Sequence, residues 1–283
     1  MKKILACLLV LALSMAAFCC AVADECGDWS YHVLADGTAE IVYYFNLETT
    51  SVQIPETLNG TKVTNIAGGA FRHCLNNSSF AVSPDHPTFA VIDGVLFSKP
   101  DKRIIAYPLA KEGDTYAIPQ GIKIIGKFAF SYCTSLTSIS LPNSVTSIEN
   151  NAFAQCSSLT SISIPDSVTS IGDEAFVTCS SLADVTIPDS VTSIGVGAFA
   201  YCSSLTSISI PGSITSIGDG AFAYCPSLTS ISIPDSVTSI GIWAFDECPN
   251  LTLTVGRNSY AEQYAKENNI PYAYPDANDW LTK

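Results

Sequence analysis

Apolar and polar residues trade places along most of this chain in short bursts that return in the same order. Between Leu159 and Cys179, Ile162 and Ile164 alternate with Ser161 and Ser163, the two-residue period of a strand buried on one face. Pro165 ends that strand because it has no N–H to donate to a ladder. Asp166-Ser167 reads as a turn, Val168 to Ile171 as a second short extended piece, and Gly172-Asp173 as another bend. Ala175-Phe176 leads a tight or 3-10 turn into Cys179. Leu159, Ile162, Ile164, Val168, Ile171, Ala175, Phe176 and Cys179 are the positions predicted to point inward.

The whole burst recurs every 23 residues, six times, carrying Phe130, Phe153, Phe176, Phe199, Phe222 and Phe245 with it. Cys133, Cys156, Cys179, Cys202, Cys225 and Cys248 keep the same spacing, as do the leucines from Leu136 to Leu251. A fixed period in this range marks a solenoid, each repeat one coil stacked on the next. The apolar residues of a single coil do not offset the entropy of ordering its backbone. The array is therefore expected to be stable only as a stack with closed ends.

Both closures are legible. Trp29, Tyr31 and Val33 alternate, Asp36-Gly37 offers a turn, and Ile41, Tyr43 and Phe45 alternate again, which predicts a β-hairpin over the first coil. At the other end Ser259 and Glu262 fit a capping box for a helix running to about Asn268. Ala261, Tyr264 and Ala265 would cover the last coil, ahead of an extended Pro271-Tyr272-Ala273-Tyr274-Pro275. In between, 54–127 departs from the strict period: an early coil with an Asn59-Gly60 turn, then a hairpin through Asp93-Gly94 and a second turn at Pro100-Asp101. The organisation expected is a signal peptide at 1–23, an N-terminal β cap at 24–53, irregular coils with a hairpin insertion at 54–127, regular repeats at 128–256, and a C-terminal cap and tail at 257–283.

The recurring Leu-Thr-Ser-Ile-Ser-Ile-Pro, then Val-Thr-Ser-Ile-Gly, then Ala-Phe with Cys three residues on, resembles the BspA-like leucine-rich-repeat proteins. Ile-Asp-Gly-Val-Leu-Phe-Ser at 92–98 with Ala-Tyr-Pro at 106–108 is similar to the irregular segment of that family, and Ser-Tyr-Ala-Glu-Gln-Tyr-Ala at 259–265 to its usual ending. The resemblance implies a right-handed leucine-rich-repeat stack of short parallel β-strands. It also implies protein–protein contact at a bacterial or protist cell surface, in adhesion to host matrix or between cells. It carries no catalytic residues to transfer.

The signal-peptide reading rests on Lys2 and Lys3 before an apolar run from Ile4 to Phe18, with Ala21-Val22-Ala23 as a small-residue cleavage site. Lipidation at Cys19 or Cys20 is the weaker reading, because bulky Phe18 precedes Cys19. An exported protein, secreted or held at the cell surface, is expected. Cleavage leaves 11 basic against 26 acidic side chains, and no Lys or Arg falls between Lys127 and Arg257, where ten acids do. A surface without cations does not neutralise phosphates, which disfavours nucleic acid and anionic lipid as partners. The partner expected is an extracellular or cell-surface protein, and the chain is silent on oligomeric state.

Of the eight cysteines left after cleavage, six hold the repeating position. Neighbouring coils bring such residues within bridging distance but with parallel Cβ directions, which strains a disulfide. They are read as buried free thiols filling the core; Cys26 and Cys74 are left open. No cofactor or metal is expected, because no His falls within the array. Calcium at the Asp turns is disfavoured: such sites need six or more oxygens, and one Asp per coil with Gly212 interrupting the row does not supply them. His73 beside Cys74 invites a Cys–His hydrolase reading, but adjacency in sequence is not a positioned dyad, so the expectation is no enzyme. Asn59, Asn77 and Asn250 match the glycosylation pattern.

Candidate contact residues fall into three sets. A stripe of Ser138, Ser140, Ser161, Ser163, Asp184, Thr186, Ser207, Ser209, Ser230 and Ser232 is expected to line one sheet face. Asp166, Asp189 and Asp235 recur at the following turn. Tyr201, Tyr224 and Trp243, near the tight turns, are the anchor-type residues the stripe lacks. A binding or adhesion module is the first functional reading, and a structural or self-associating spacer the alternative. A row of Thr-Ser pairs (169–170, 192–193, 215–216, 238–239) brings in ice or carbohydrate-lattice binding as a rarer one.

Overall fold

A computed structural model describes residues 23–275; the signal peptide predicted at 1–23 lies almost entirely outside them, as does the end of the tail. Each repeat contributes two short strands. Those of the first kind, from Thr115–Ala117 through Ser138–Ser140, Ser161–Ser163, Asp184–Thr186, Ser207–Ser209 and Ser230–Ile233 to Thr252–Val255 and Tyr272–Ala273, stack in parallel as an eight-stranded sheet. The second kind, including Ser147–Ile148, Ser170–Ile171, Ser193–Ile194, Ser216–Ile217 and Ser239–Ile240, builds a nine-stranded sheet. Its far edge is the meander Phe89–Ile92, Val95–Ser98, Arg103–Ala106. Register follows the period, with Ser161 opposite Asp184, Ser163 opposite Thr186 and Ser207 opposite Ser230.

All eight residues predicted to face inward between Leu159 and Cys179 are buried, and their counterparts form one continuous core from Val95 to Ala265. The phenylalanines make its spine. Phe153 and Phe176 stack with centroids 5.1 Å apart, Phe176 and Phe199 at 5.3 Å with planes only 2° apart, and Tyr264 closes the column edge-on against Phe245 at 6.1 Å. Stacking at this spacing lets each ring cover the face of the next.

The segment around each phenylalanine is a chain of tight turns with two left-handed residues per coil. These are Phe128 and Tyr132, Asn151 and Gln155, Glu174 and Thr178, Gly197 and Tyr201, Gly220 and Tyr224, and Trp243 and Glu247. Alternate N–H groups serve alternate purposes. Asn151, Phe153 and Gln155 donate to Asp173, Ala175 and Val177 of the next coil, while Ala152, Ala154 and Cys156 close turns onto Glu149, Asn151 and Phe153. Over 151–156 every donor is used without regular helix or strand. Glycine ahead of this run is a matter of clearance, since a Cβ on Gly195 would lie 2.6 Å from the carbonyl carbon of Gly172.

The N-terminal hairpin is present, Trp29–Val33 pairing antiparallel with Ala39–Tyr44, which pairs in parallel with Thr61–Ile66. Its predicted alternation fails in part. A bulge between Ser30 and Tyr31 shifts the register, so Ile41 and Tyr44 are both buried and Phe45 faces solvent; Tyr31 is buried, and Val33 at the strand end is exposed. Asn59-Gly60 and Asp93-Gly94 turn tight hairpins with both residues at positive φ. The terminal helix Tyr260–Glu267, α1, starts at Ser259, whose Oγ accepts from Glu262 N at 3.1 Å. The reciprocal contact is one residue earlier than a standard box, the Glu262 carboxylate accepting from Asn258 N. Lys266, Tyr274 and Asn258 together hold that carboxyl down at about 2.

Candidate binding surfaces

The cysteine column settles what fills the space behind the turns. All eight described cysteines are free. Each thiol also does more than occupy volume: Cys156, Cys179, Cys202, Cys225 and Cys248 donate from Sγ to the carbonyls of Phe130, Phe153, Phe176, Phe199 and Phe222, at 3.0 to 3.3 Å. That contact crosses from one coil to the one before and was not legible in the spacing. Burial pushes the thiols of Cys133, Cys156 and Cys202 upward, and that of Cys74 up to about 11. Cys248 departs from the expectation of burial: the last coil leaves it half-buried beside a cleft of about 330 Å³ against α1.

The Cys–His reading ends here. Cys74 points into the N-terminal core, whereas His73 lies outside, 6.0 Å from the Tyr43 ring and accepting from Arg72 Nε at 3.1 Å. His86 is buried, its Nδ1 accepting from the N–H groups of Thr88 and Phe89, and desolvation lowers its pKa. Among the described residues no three His, Cys, Asp or Glu side chains are grouped to hold a metal. No helix there is long and apolar enough to cross a membrane. Of the glycosylation patterns, Asn77 is 1 % exposed with its Oδ1 accepting from Ser79 N, which leaves it inaccessible.

Three surfaces remain. Ser138, Ser140, Ser161, Ser163, Asp184, Thr186, Ser207, Ser209, Ser230 and Ser232 are all exposed on the outer face of the eight-stranded sheet. Asp166, Asp189 and Asp235 are exposed at the next corner. Their serine neighbours are structural, since Ser190 and Ser236 donate to Val168 and Ile214 of preceding coils. The threonines of the Thr-Ser row are engaged in the same way: Thr169, Thr215 and Thr238 donate to the carbonyls of Thr146, Thr192 and Thr215. Those hydroxyls tie coil to coil.

The turn edge is the third surface and the one with anchors. Tyr201 and Tyr224 stack at 4.6 Å with planes 5° apart, yet remain 49 % and 42 % exposed. Trp243 is 48 % exposed, with Ile242 beside it. All three aromatics hold left-handed φ, +61°, +58° and +57°, a conformation that bulky side chains adopt at a cost. The position of Trp243 is Gly197 and Gly220 in the two preceding coils. Small residues Ala200 and Ala223 and those glycines leave a shallow floor between Tyr201-Tyr224 and Val196-Ile242. Glu174, Asp246 and Glu247 border it.

A second cleft, about 390 Å³, opens where the irregular coils meet the array. Within it Arg103 joins Asp101, at 2.6 Å, to Glu149, which also accepts from Lys127 N at 3.0 Å. The guanidinium is thereby satisfied by its own chain, and the cluster acts as a clasp between 101–103 and the first regular coils.

No curated protein sequence matches the chain. Its fold is similar to the crystal structure of a leucine-rich repeat protein from Eubacterium ventriosum, at 27 % identity and a TM-score of 0.64, covering 71 % of this chain and 53 % of that one. It is also similar to the pneumococcal vaccine antigen PcpA, at 21 % identity and a TM-score of 0.51, covering 79 % and 55 %; at that identity the likeness concerns the fold alone. The chain thus spans about half the length of these two structures. Residues 123–252 match the model of the BspA type leucine rich repeat region in six copies, and the stacked array described above is a BspA-type leucine-rich-repeat region.

Proposed function

We propose that this protein is a secreted or surface-associated binding module whose contact surface for other proteins is the aromatic turn edge. The observation that carries the reading is the exposure of Tyr201, Tyr224 and Trp243 at left-handed positions that adjacent coils fill with Thr178, Glu247 and Gly220; the first regular coil also holds aromatics there, Phe128 and Tyr132. Solvent-facing aromatic rings in strained backbone cost stability and serve no core, which points to use at an interface. The hydroxyl stripe borders that edge as a solvated polar face, and the Asp row lies at the far corner beyond it. An adhesive role at a cell surface, after removal of 1–23, extends the same reading; the acidic, cation-free array favours a neutral or cationic partner.

The test is capture from extracellular-matrix and cell-surface preparations by the mature chain and two variants. Tyr201→Asn/Tyr224→Asn/Trp243→Gly, built from residues at ease in the left-handed region, should lose capture. Reversal of Asp166, Asp189 and Asp235 to Lys should leave it largely intact. Unchanged capture by the aromatic variant would sink the assignment of the edge.

A further inference from the structure

The turn edge changes character along the stack. Its coils are marked by equivalent core aromatics, Tyr44, Phe71 and Tyr107 ahead of Phe130 and its successors, because the N–H groups of Tyr44, Tyr107 and Phe130 reach Ala70, Ala129 and Ala152 in the same way. In the N-terminal half, Tyr43 lies 5.1 Å from the exposed Phe45 ring and Leu75 is 64 % exposed. Arg72 and Lys127, both exposed, supply positive charge there. Asp28 and Glu48 stand at the margin, Asp28 engaged by Asn46 Nδ2 at 3.1 Å. The C-terminal half also presents aromatics, Tyr201, Tyr224 and Trp243, but among Glu174, Asp246 and Glu247, with no Lys or Arg between Lys127 and Arg257.

We propose that a second copy of this chain occupies the edge, laid antiparallel so that Lys127 of each faces Glu174 of the other. This rests on the edge being a protein-contact surface. A two-fold axis at the coil of Phe153 falls between the coils of Phe130 and Phe176, which bond to it on either side. Lys127, one coil before the axis, meets Glu174, one coil after it. Such an interface is self-complementary and closes as a dimer. A parallel pairing sets Glu174 against Glu174 and Lys127 against Lys127, which like-charge repulsion disfavours. The exposed aromatics of both halves then become buried, accounting for the apolar surface at each end of the edge.

Sedimentation equilibrium of the mature chain over micromolar concentrations tests this. The expected result is a reversible dimer that weakens as salt rises. The Tyr201→Asn/Tyr224→Asn/Trp243→Gly variant, with an unchanged far-ultraviolet spectrum, should raise the dissociation constant by about tenfold or more. Lys127→Glu and Glu174→Lys should each weaken pairing alone and restore it when mixed, since only the antiparallel arrangement sets 127 against 174. A monomer at every concentration overturns the proposal, and so does a dimer indifferent to these changes or one not restored by mixing. A monomer whose capture of a basic matrix protein still depends on Tyr201, Tyr224 and Trp243 overturns self-pairing while leaving the binding function standing. A monomer without that dependence overturns both.

Discussion

The regular array and the irregular coils before it stack in the same way but are held by different means. From Phe130 to Phe245 each column solves one contact, repeated: ring on ring, thiol to carbonyl, and, past Glu149, glycine against backbone. Between Ile54 and Lys127 each junction has its own device. His86 caps two amides, Lys99 Nζ donates to the His86 carbonyl at 2.6 Å, and Arg103 clasps Asp101 and Glu149. Repetition makes the array's stability nearly a sum of identical neighbour contacts, whereas the irregular part concentrates its stability in a few polar groups. The ladder removes the need for charge, and a contact surface follows from where the repeats are allowed to differ.

The comparison breaks first where the spine is cut. Phe176→Ala should cost about 3–5 kcal/mol, because both ring faces lose a stacked neighbour; urea unfolding followed by circular dichroism measures it. A loss under about 1 kcal/mol would mean the ring column is not what couples the coils.

Alkaline pH comes next. Thiols whose folded pKa is raised leave stability unaffected while both states stay protonated. Above the ordinary thiol value of 9.0 the unfolded chain ionises first, and Cys74 in the fold holds its proton to about 11. Stability should fall across that window by about 2 kcal/mol from Cys74 alone, more with Cys133, Cys156 and Cys202 also raised. Denaturation midpoints that stay level from neutral pH to strongly alkaline buffer would contradict the buried-thiol column.

A smaller effect is expected at the clasp. Arg103→Met should cost about 1–2 kcal/mol, since the guanidinium is part-exposed and Glu149 keeps the Lys127 amide. Amide exchange should accelerate across 89–106 and spare the coils beyond Phe153. Uniform acceleration would deny the irregular region a stability of its own. Smallest of all, Trp243→Gly should be neutral or stabilising by up to about 1 kcal/mol, because it relieves a left-handed tryptophan; a clear drop in melting temperature would show that the ring packs for structure.

Reading the chain alone recovered the coil, its inward residues and both caps, because strand alternation, Pro165-type strand ends and the Ser259–Glu262 pair act over a few residues. It missed what depends on the coil next door. Nothing local distinguishes a cysteine that merely fills space from one donating to Phe130, or a threonine that is free from one tied to Thr146. The bulge at Ser30-Tyr31 was also invisible, and with it the outward turn of Phe45. Tyr201, Tyr224 and Trp243 were named as anchors, but their left-handed backbone emerges only when alternate amides are pledged to adjacent coils.

The order of apolar and polar residues, repeated at a fixed interval, was by itself enough to determine that the chain coils and what lies inside each coil, since burial of a periodic face is a near-neighbour property. Which side of the stack carries strained, exposed aromatics was decided only by tertiary structure. Columns of equivalent residues exist only once coils are stacked in register, and a surface is a property of columns.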